Sequence, residues 1–248
     1  MKKHTRTIVF HPLWMLLLLV AFIAAACTTT TITSKLSPVA TPPLPTVTVH
    51  LSTGPITYVA LGASDAVGVG SNQPGSQGYV PLLAARLPRG SHLVNLGISG
   101  IHLHEALVQE APLALALSPG LVTIWLVAND FVGNVPYSSY IHDLNTLLSE
   151  LHSETHASLV MANLPDLTRL PAFANQTKPQ KAQMLTQIER WNAGIATTAA
   201  HYGVALVDLF SHGSELTAHP EYISGDGFHP SPLGYVQLAD LFWGVIRG

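Results

Sequence analysis

From Ile56 onward, short apolar runs alternate with longer amphipathic stretches. The runs are continuous rather than alternating, as expected for parallel strands that are covered on both faces. They predict five strands, at Ile56–Leu61, Leu93–Asn95, Leu121–Val127, Ser158–Met161 and Val204–Val207.

The stretches between the later runs have the three- and four-residue spacing of amphipathic helices. One set comprises Tyr140, Leu144, Leu147, Leu148 and Leu151, and the other comprises Met184, Ile188, Trp191, Ile195 and Ala199. Pro179 suits the first turn of the second helix. A final apolar run, Leu233 to Ile246, predicts a C-terminal helix that packs on the sheet. This order predicts an α/β fold, a three-layer α/β/α sandwich with a parallel sheet of about five strands in one domain, residues 56–248.

Composition excludes several classes of protein. Of 248 residues, 10% are charged and one is cysteine, against a usual charged share of ~25%. We therefore expect neither a disordered chain nor a nucleic-acid binder with a basic face. One cysteine excludes an internal disulfide framework and a Cys-rich zinc module.

Charge is also unevenly placed. The first 54 residues contain Lys2, Lys3, Arg6 and Lys35 but no acid, so the rest of the chain has a net charge of −7. Residues 2–6 are basic, and an uninterrupted apolar run then leads to Ala24-Ala25-Ala26-Cys27. This order predicts a secretory signal over residues 1–26. Its apolar run is too short to span ~30 Å of hydrocarbon as a helix.

The cysteine after these small residues resembles the bacterial lipobox, which implies lipidation at Cys27 and attachment to the outer face of a bacterial cell membrane. The usual Leu three places earlier is Ala24 here. An uncleaved anchor and a plain secretory signal are the alternatives. Residues 27–55 are rich in Thr and Pro, which predicts a semi-stiff tether.

Polar clusters follow several predicted strands, at the sheet edge where parallel α/β folds bind ligands. Three of them, after the first three strands, are Gly62-Ala63-Ser64-Asp65, Gly97-Ile98-Ser99-Gly100 and Ala128-Asn129-Asp130. A fourth cluster lies near the C-terminus: Asp226-Gly227-Phe228-His229-Pro230-Ser231-Pro232. Together, from Tyr58 to Tyr235, they resemble the four signature blocks of the SGNH branch of the GDSL esterase/lipase family.

The resemblance implies the flavodoxin-like SGNH hydrolase fold and gives each polar residue a role. Ser64 would be the nucleophile, His229 its base and Asp226 the residue that orients the imidazole. The Ser64 N–H, the Gly100 N–H and the Asn129 side-chain amide would form the oxyanion hole. An imidazole is what a serine hydroxyl needs to become a good nucleophile.

Two positions depart from the family pattern. The usual Asp before the serine is Ala63, and the Gly that often stands two places before the asparagine is Val127. Neither is catalytic in the family, so they bear on loop geometry and substrate fit. Asp130, and the stretch from Asn163 to Asp166, are interpreted as structural.

These observations predict an exported, lipid-anchored serine esterase that acts on a small ester, a lipid or an acetylated glycan. We expect a monomer without a cofactor. Two alternatives remain: an acyltransferase that acts on a cell-envelope sugar, and a surface lipoprotein that binds but does not catalyse. Substrate choice is expected to depend on the loops Ser71–Gly78, Phe131–Ser139 and Pro171–Lys178.

The chain has 13 histidines, so a metal site was considered. His102 and His104 alternate, and His152 and His156 stand four apart. No acidic or cysteine partner has a matching spacing, so we expect no metal.

Overall fold

Five parallel strands form one sheet in residues 47–248, the part of the chain that the computed structural model describes. The strands are β1 Thr57–Gly62, β2 His92–Asn95, β3 Leu121–Trp125, β4 Ser158–Ala162 and β5 Ala205–Val207. Their spatial order is β2-β1-β3-β4-β5. The predicted parallel sheet of about five strands is confirmed, and each strand begins or ends within two residues of its predicted limits.

The strand order creates a switch point between β1 and β3. These two strands pair directly, with Val59 opposite Val122 and Leu61 opposite Ile124, while their connections leave toward opposite edges of the sheet. A crevice opens at such a point beyond the carboxyl ends of the strands. Ser64 and Asn129 follow these two strands, so the fold brings them to this crevice.

Ten α-helices occur in the described residues and cover the two faces of the sheet. They are α1 Ser64–Val67, α2 Pro74–Gln77, α3 Tyr79–Ala84, α4 Leu103–Gln109, α5 Ala111–Ala116, α6 Ala128–Val132, α7 Tyr137–Glu154, α8 Lys178–His201, α9 Gly213–Ala218 and α10 Pro232–Arg247. Helices α3 and α10 pack together, whereas α7 packs against α4, α5 and α8. Right-handed crossovers place these two groups on opposite faces.

The long helices agree with the apolar spacing. Tyr140 and Leu144 of α7, Ile188 of α8, and Phe242 of α10 are buried in the core. The α8 helix begins one residue before Pro179, after an N-cap at Thr177 whose side chain accepts from the Gln180 N–H. An N-cap of this kind satisfies one of the free donors of the first turn.

Strand β2 differs from the expectation that every strand is covered on both faces. Three of its four residues are exposed, including Leu93. It lies at the edge of the sheet and pairs with β1 alone, so solvent reaches it. By contrast, β3 lies between two neighbours and is buried throughout.

The residues before β1 contact the domain without joining the sheet. Val47, Val49 and Leu51 pack against the core, and the Ser158 hydroxyl donates a 2.9 Å hydrogen bond to the His50 carbonyl. The predicted signal, Cys27 and residues 27–46 of the predicted tether lie outside the described residues. Within residues 47–248, no helix is both long and apolar enough to cross a membrane.

Candidate active site

Ser64 is the first residue of α1 and lies just beyond the end of β1. The turn between strand and helix is tight: a β-carbon on Gly62 would come within 2.7 Å of the Ala66 side chain. Glycine at position 62 therefore allows the chain to turn sharply. The turn leaves Ser64 only 8% exposed, at the bottom of the crevice.

His229 reaches Ser64 from the other end of the domain. Its Nε2 lies 2.9 Å from the Ser64 Oγ, and its Nδ1 lies 2.6 Å from the Asp226 Oδ2. The structure thus brings the three predicted residues into one hydrogen-bonded series. In this arrangement the Nδ1–H would donate to the carboxylate, so that Nε2 is free to accept the hydroxyl proton.

The Asp226 carboxylate also organises its own loop. Its Oδ1 accepts hydrogen bonds from the Phe228 N–H at 2.8 Å, the His229 N–H at 3.0 Å and the Ser224 hydroxyl at 2.8 Å. Partial burial raises the pKa of this carboxyl, but the bonds from the His229 ring, the two N–H groups and Ser224 outweigh that effect. The net result is a pKa below the usual range for Asp.

The predicted oxyanion donors come from three separate segments: the start of α1, the loop after β2 and the first turn of α6. Within residues 47–248, the N–H groups of Ser64 and Gly100 donate to no protein acceptor. The Asn129 Nδ2 donates one hydrogen to the Ile101 carbonyl at 2.9 Å, which leaves its second hydrogen free. Because Ile101 directly follows Gly100, that bond holds the Asn129 amide close to Gly100.

The end of β2 and the loop after it pack directly on the turn that holds Ser64. The Ile98 N–H donates to the Gly62 carbonyl at 3.0 Å, and the Asn95 Nδ2 donates to the Ala66 carbonyl at 2.6 Å. Gly100 follows with a φ of +82°, a left-handed conformation that glycine adopts without strain. No atom lies within 4 Å of the β-carbon position there, so the conformation alone favours glycine.

Asp130 supports the same crevice from below. Its two carboxyl oxygens accept from the Leu103 N–H at 3.3 and 3.0 Å, so it links α6 to the start of α4. Burial raises the pKa of Asp130 to about 6. This is a structural contact, in agreement with the interpretation of Asp130 above.

Two buried acids near Ser64 were given no role by sequence reasoning. Glu110, at the end of α4, is fully buried, and its Oε2 accepts from the Gly62 N–H at 3.1 Å. Burial raises its pKa to about 8, so this acid favours its protonated form at neutral pH beside the turn that leads to Ser64. The available signal was a lone acid in a long apolar stretch, residues 106–117.

Asp65 follows Ser64 directly and lines an apolar cavity of about 100 Å³. Trp125, Phe228 and Leu238 are among the side chains that enclose this cavity. Burial raises the pKa of Asp65 to about 6, although the nearby His229 ring acts in the opposite direction.

The histidines considered for a metal do not converge. His104 is exposed and lies 3.3 Å from Asp143, and α7 ends at Glu154, between His152 and His156. Within the described part of the chain, no group of three or more His, Cys, Asp or Glu side chains could hold a metal ion.

The sequence from Ala60 to Gln237 matches the model of the GDSL-like lipase/acylhydrolase family. The chain belongs to this family. The family cleaves ester bonds, so this acylhydrolase is an ester-hydrolysing enzyme, as the four polar blocks predicted. No curated protein matches the chain significantly.

Solved structures share the fold of this acylhydrolase. TesA is 25% identical, with a TM-score of 0.61, and the match covers 77% of this chain and 98% of TesA. LAE5, an α/β hydrolase enzyme from the metagenome of Lake Arreo, Spain, is 19% identical, with a TM-score of 0.64 and coverages of 79% and 97%. Axe2, an acetylxylan esterase from Geobacillus stearothermophilus, is 19% identical, with a TM-score of 0.60 and coverages of 82% and 97%.

Proposed function

We propose that this acylhydrolase cleaves carboxylic esters through an acyl-enzyme on Ser64, with His229 as general base and Asp226 as the residue that orients the imidazole. The observation that carries the proposal is the hydrogen-bonded series from Ser64 through His229 to Asp226, with distances of 2.9 and 2.6 Å. Nucleophile, base and orienting group within hydrogen-bond reach are the geometric signature of such a triad.

In the first half of the reaction, the Ser64 Oγ attacks the ester carbonyl carbon while His229 Nε2 takes its proton. The N–H groups of Ser64 and Gly100 and the Asn129 amide donate to the oxyanion that forms. As the carbonyl reforms, the bond to the alcohol oxygen breaks, and His229 gives its proton to that oxygen. Fixed donors stabilise the charge without having to reorganise during the step.

In the second half, His229 takes a proton from a water molecule, and the resulting hydroxide attacks the acyl carbonyl. The Ser64–acyl bond then breaks and His229 returns the proton to Ser64 Oγ, so the carboxylic acid leaves and the free enzyme is restored. Asp226 stays ionised throughout, because its pKa lies below the usual range, and it stabilises the imidazolium each time it forms.

The assignment can be tested with p-nitrophenyl acetate and the full-length chain in detergent. Ser64→Ala should lower kcat by at least about a thousandfold, because it removes the nucleophile. Ser153→Ala is the matched control, since Ser153 is an exposed serine on α7 and should behave as wild type. Equal turnover by Ser64→Ala and wild type would refute the assignment.

Two further measurements separate the alternatives. With an added sugar acceptor, an acyltransferase would yield an acceptor ester in place of free acid. With a fluorophosphonate probe, an enzyme should be labelled at Ser64, whereas a lipoprotein that only binds would not be.

We also propose that the chain is exported and attached to the outer face of the cell membrane through a lipid on Cys27. The support lies in the sequence: a basic start, an apolar run and small residues directly before the single cysteine. Radiolabelled palmitate should enter the wild-type chain but not the Cys27→Ser variant in a bacterial host. Equal labelling of both would contradict the anchor.

A further inference from the structure

A groove of about 580 Å³ lies between the loop that follows α6 and the first half of α8. Phe131, Val135 and Tyr137 form one side, and Gln183 and Gln187 of α8 form the other. Two of the three loops expected to choose the substrate, Phe131–Ser139 and Pro171–Lys178, contribute to it.

The groove leads away from the proposed triad. At one side, Phe173 lies edge-on to Phe228 with ring centroids 6.3 Å apart, and Phe228 lies 5.2 Å from the His229 ring. At the other side, Phe131 stands two residues after Asn129 in α6. These contacts place the edge of the groove near Asn129 and His229, two residues of the proposed site.

Aromatic rings support the groove from below. Trp191 is buried and packs edge-on against Phe131, with centroids 5.4 Å apart, and it stacks on Tyr140 at 4.6 Å. Phe131 and Phe173 are half-buried, so each keeps part of a ring surface for a ligand. Rings packed in this way form a rigid apolar floor.

Neutral amides form the polar wall. Gln180, Gln183 and Gln187 follow one another at three and four residues along α8, which places them on one face of the helix. The Gln180 Oε1 accepts from the Thr177 N–H at 2.8 Å. Within the described residues, the side chains of Gln183 and Gln187 form no hydrogen bond. Each amide can therefore donate and accept simultaneously.

The groove is almost uncharged. Among the described residues that line it, Arg190 alone carries a charge. Its guanidinium lies 4.3 Å from the centroid of the Tyr137 ring, a cation–π contact that already engages it. No acid lines the groove, so nothing there selects a cationic substrate.

We infer that this groove binds the sugar units of a neutral, O-acetylated oligosaccharide, whose ester carbonyl then lies at Ser64. The inference rests on the proposed function. Sugar hydroxyls both donate and accept, as the free amides do, and the apolar faces of sugar rings fit the aromatic floor. A fatty chain would instead cover the amides without hydrogen-bonding to them, which costs free energy.

The test compares partially O-acetylated xylotetraose and cellotetraose with p-nitrophenyl acetate, using the full-length chain. The wild type should deacetylate at least one oligosaccharide with a kcat/KM that is tenfold or more above its value for p-nitrophenyl acetate. Gln183→Leu/Gln187→Leu should lower that ratio at least tenfold, the expected effect of losing two hydrogen bonds. Leucine keeps the helix propensity of glutamine, so α8 should persist.

Gln109→Leu is the matched control, because Gln109 is an exposed glutamine on α4 away from the groove, and its ratio should equal that of the wild type. An unchanged ratio in the double variant would overturn the inference. The inference would also be overturned by two results together: a wild type with a higher kcat/KM for p-nitrophenyl palmitate than for the oligosaccharides, and a further rise of that value in the double variant. The groove would then bind an acyl chain. Equal turnover of p-nitrophenyl acetate by wild type and Ser64→Ala would instead refute the proposed function.

Discussion

The carboxyl group of Glu110 accepts a hydrogen bond from the backbone N–H of Gly62, 3.1 Å away and two residues before Ser64. Its other oxygen, Oε1, is buried and has no partner among the described residues. The acid therefore holds the turn before Ser64 from inside the core, in a place where an ionised carboxylate would be poorly solvated.

This contact predicts a pH-dependent stability. Burial raises the pKa of Glu110 from 4.5 to about 8 in the folded chain, so the folded state keeps a proton that the unfolded state loses. The free energy of unfolding should therefore fall as the pH rises from about 4.5 to 8, by at most ~1.4 kcal/mol per pH unit from this group. Glu110→Gln retains an acceptor for the Gly62 N–H and removes the proton.

Chemical denaturation at pH 5, 6, 7 and 8 measures the effect. The stability of Glu110→Gln relative to wild type should increase across this series. Glu189→Gln, on the exposed face of α8, should show no such trend. A constant difference between Glu110→Gln and wild type would show that Glu110 is ionised in the folded chain.

Asp226→Asn should leave the loop folded but lower kcat by about 10⁴-fold. The asparagine Oδ1 can still accept from the Phe228 and His229 N–H groups, which now donate to Asp226 at 2.8 and 3.0 Å. Its N–H would then face His229 Nδ1 and favour the tautomer with the proton on Nε2, which cannot accept from Ser64. Steady-state turnover of p-nitrophenyl acetate, with circular dichroism as a check on folding, tests this; a loss below tenfold would show that Asp226 is dispensable.

Asn129→Ala should lower kcat by roughly 10²–10³-fold, corresponding to ~3–4 kcal/mol, because it removes one of three proposed oxyanion donors. KM should change little, since the lost bond strengthens only as the oxyanion develops. Asn145→Ala is the control: its amide donates to the Ile141 carbonyl within α7, away from the crevice. A rise in KM with kcat intact would instead assign Asn129 to substrate binding.

Gly70→Ala should displace His229. Gly70 has a φ of +97°, and a β-carbon there would collide with the Pro230 carbonyl oxygen and lie 3.1 Å from the His229 β-carbon. A displacement of ~1 Å at a catalytic group can cost about 10²-fold in rate. Gly244→Ala, on α10, is a suitable comparison, because no atom lies within 4 Å of its β-carbon position. If kcat/KM for p-nitrophenyl acetate is the same in the two variants, the loop tolerates the clash.

The sequence predicted best those elements whose hydrophobic pattern extends over several turns of helix or over a whole strand. The apolar spacing located α7, α8 and α10, and the runs located all five strands. It did not locate α3, α4 or α5, because six or seven residues give fewer than two turns of periodicity. The exposure of β2 was missed because its place at the edge depends on the strand order.

In the proposed site too, the sequence predicted the residues that lie in motifs but not those whose place depends on tertiary packing. Ser64, Gly100, Asn129, Asp226 and His229 stand in motifs, so their positions could be read from the sequence. Glu110 lies in no motif: its contact with Gly62 joins residues 48 positions apart and depends on how the junction of α4 and α5 packs against β1. Likewise, the groove depends on the tertiary packing that places the amides of α8 opposite Phe131 and Tyr137, residues about 50 positions away in the sequence.

The bond between Ser64 and His229 joins residues 165 positions apart, and His229 stands just before the last helix. Ser64 therefore leaves the ribosome long before His229 has been synthesised. In the folded chain, the helix that follows His229, α10, packs on α3 and β5. Ester hydrolysis should thus require the C-terminal part of the chain in its folded place, so a nascent chain should not cleave esters.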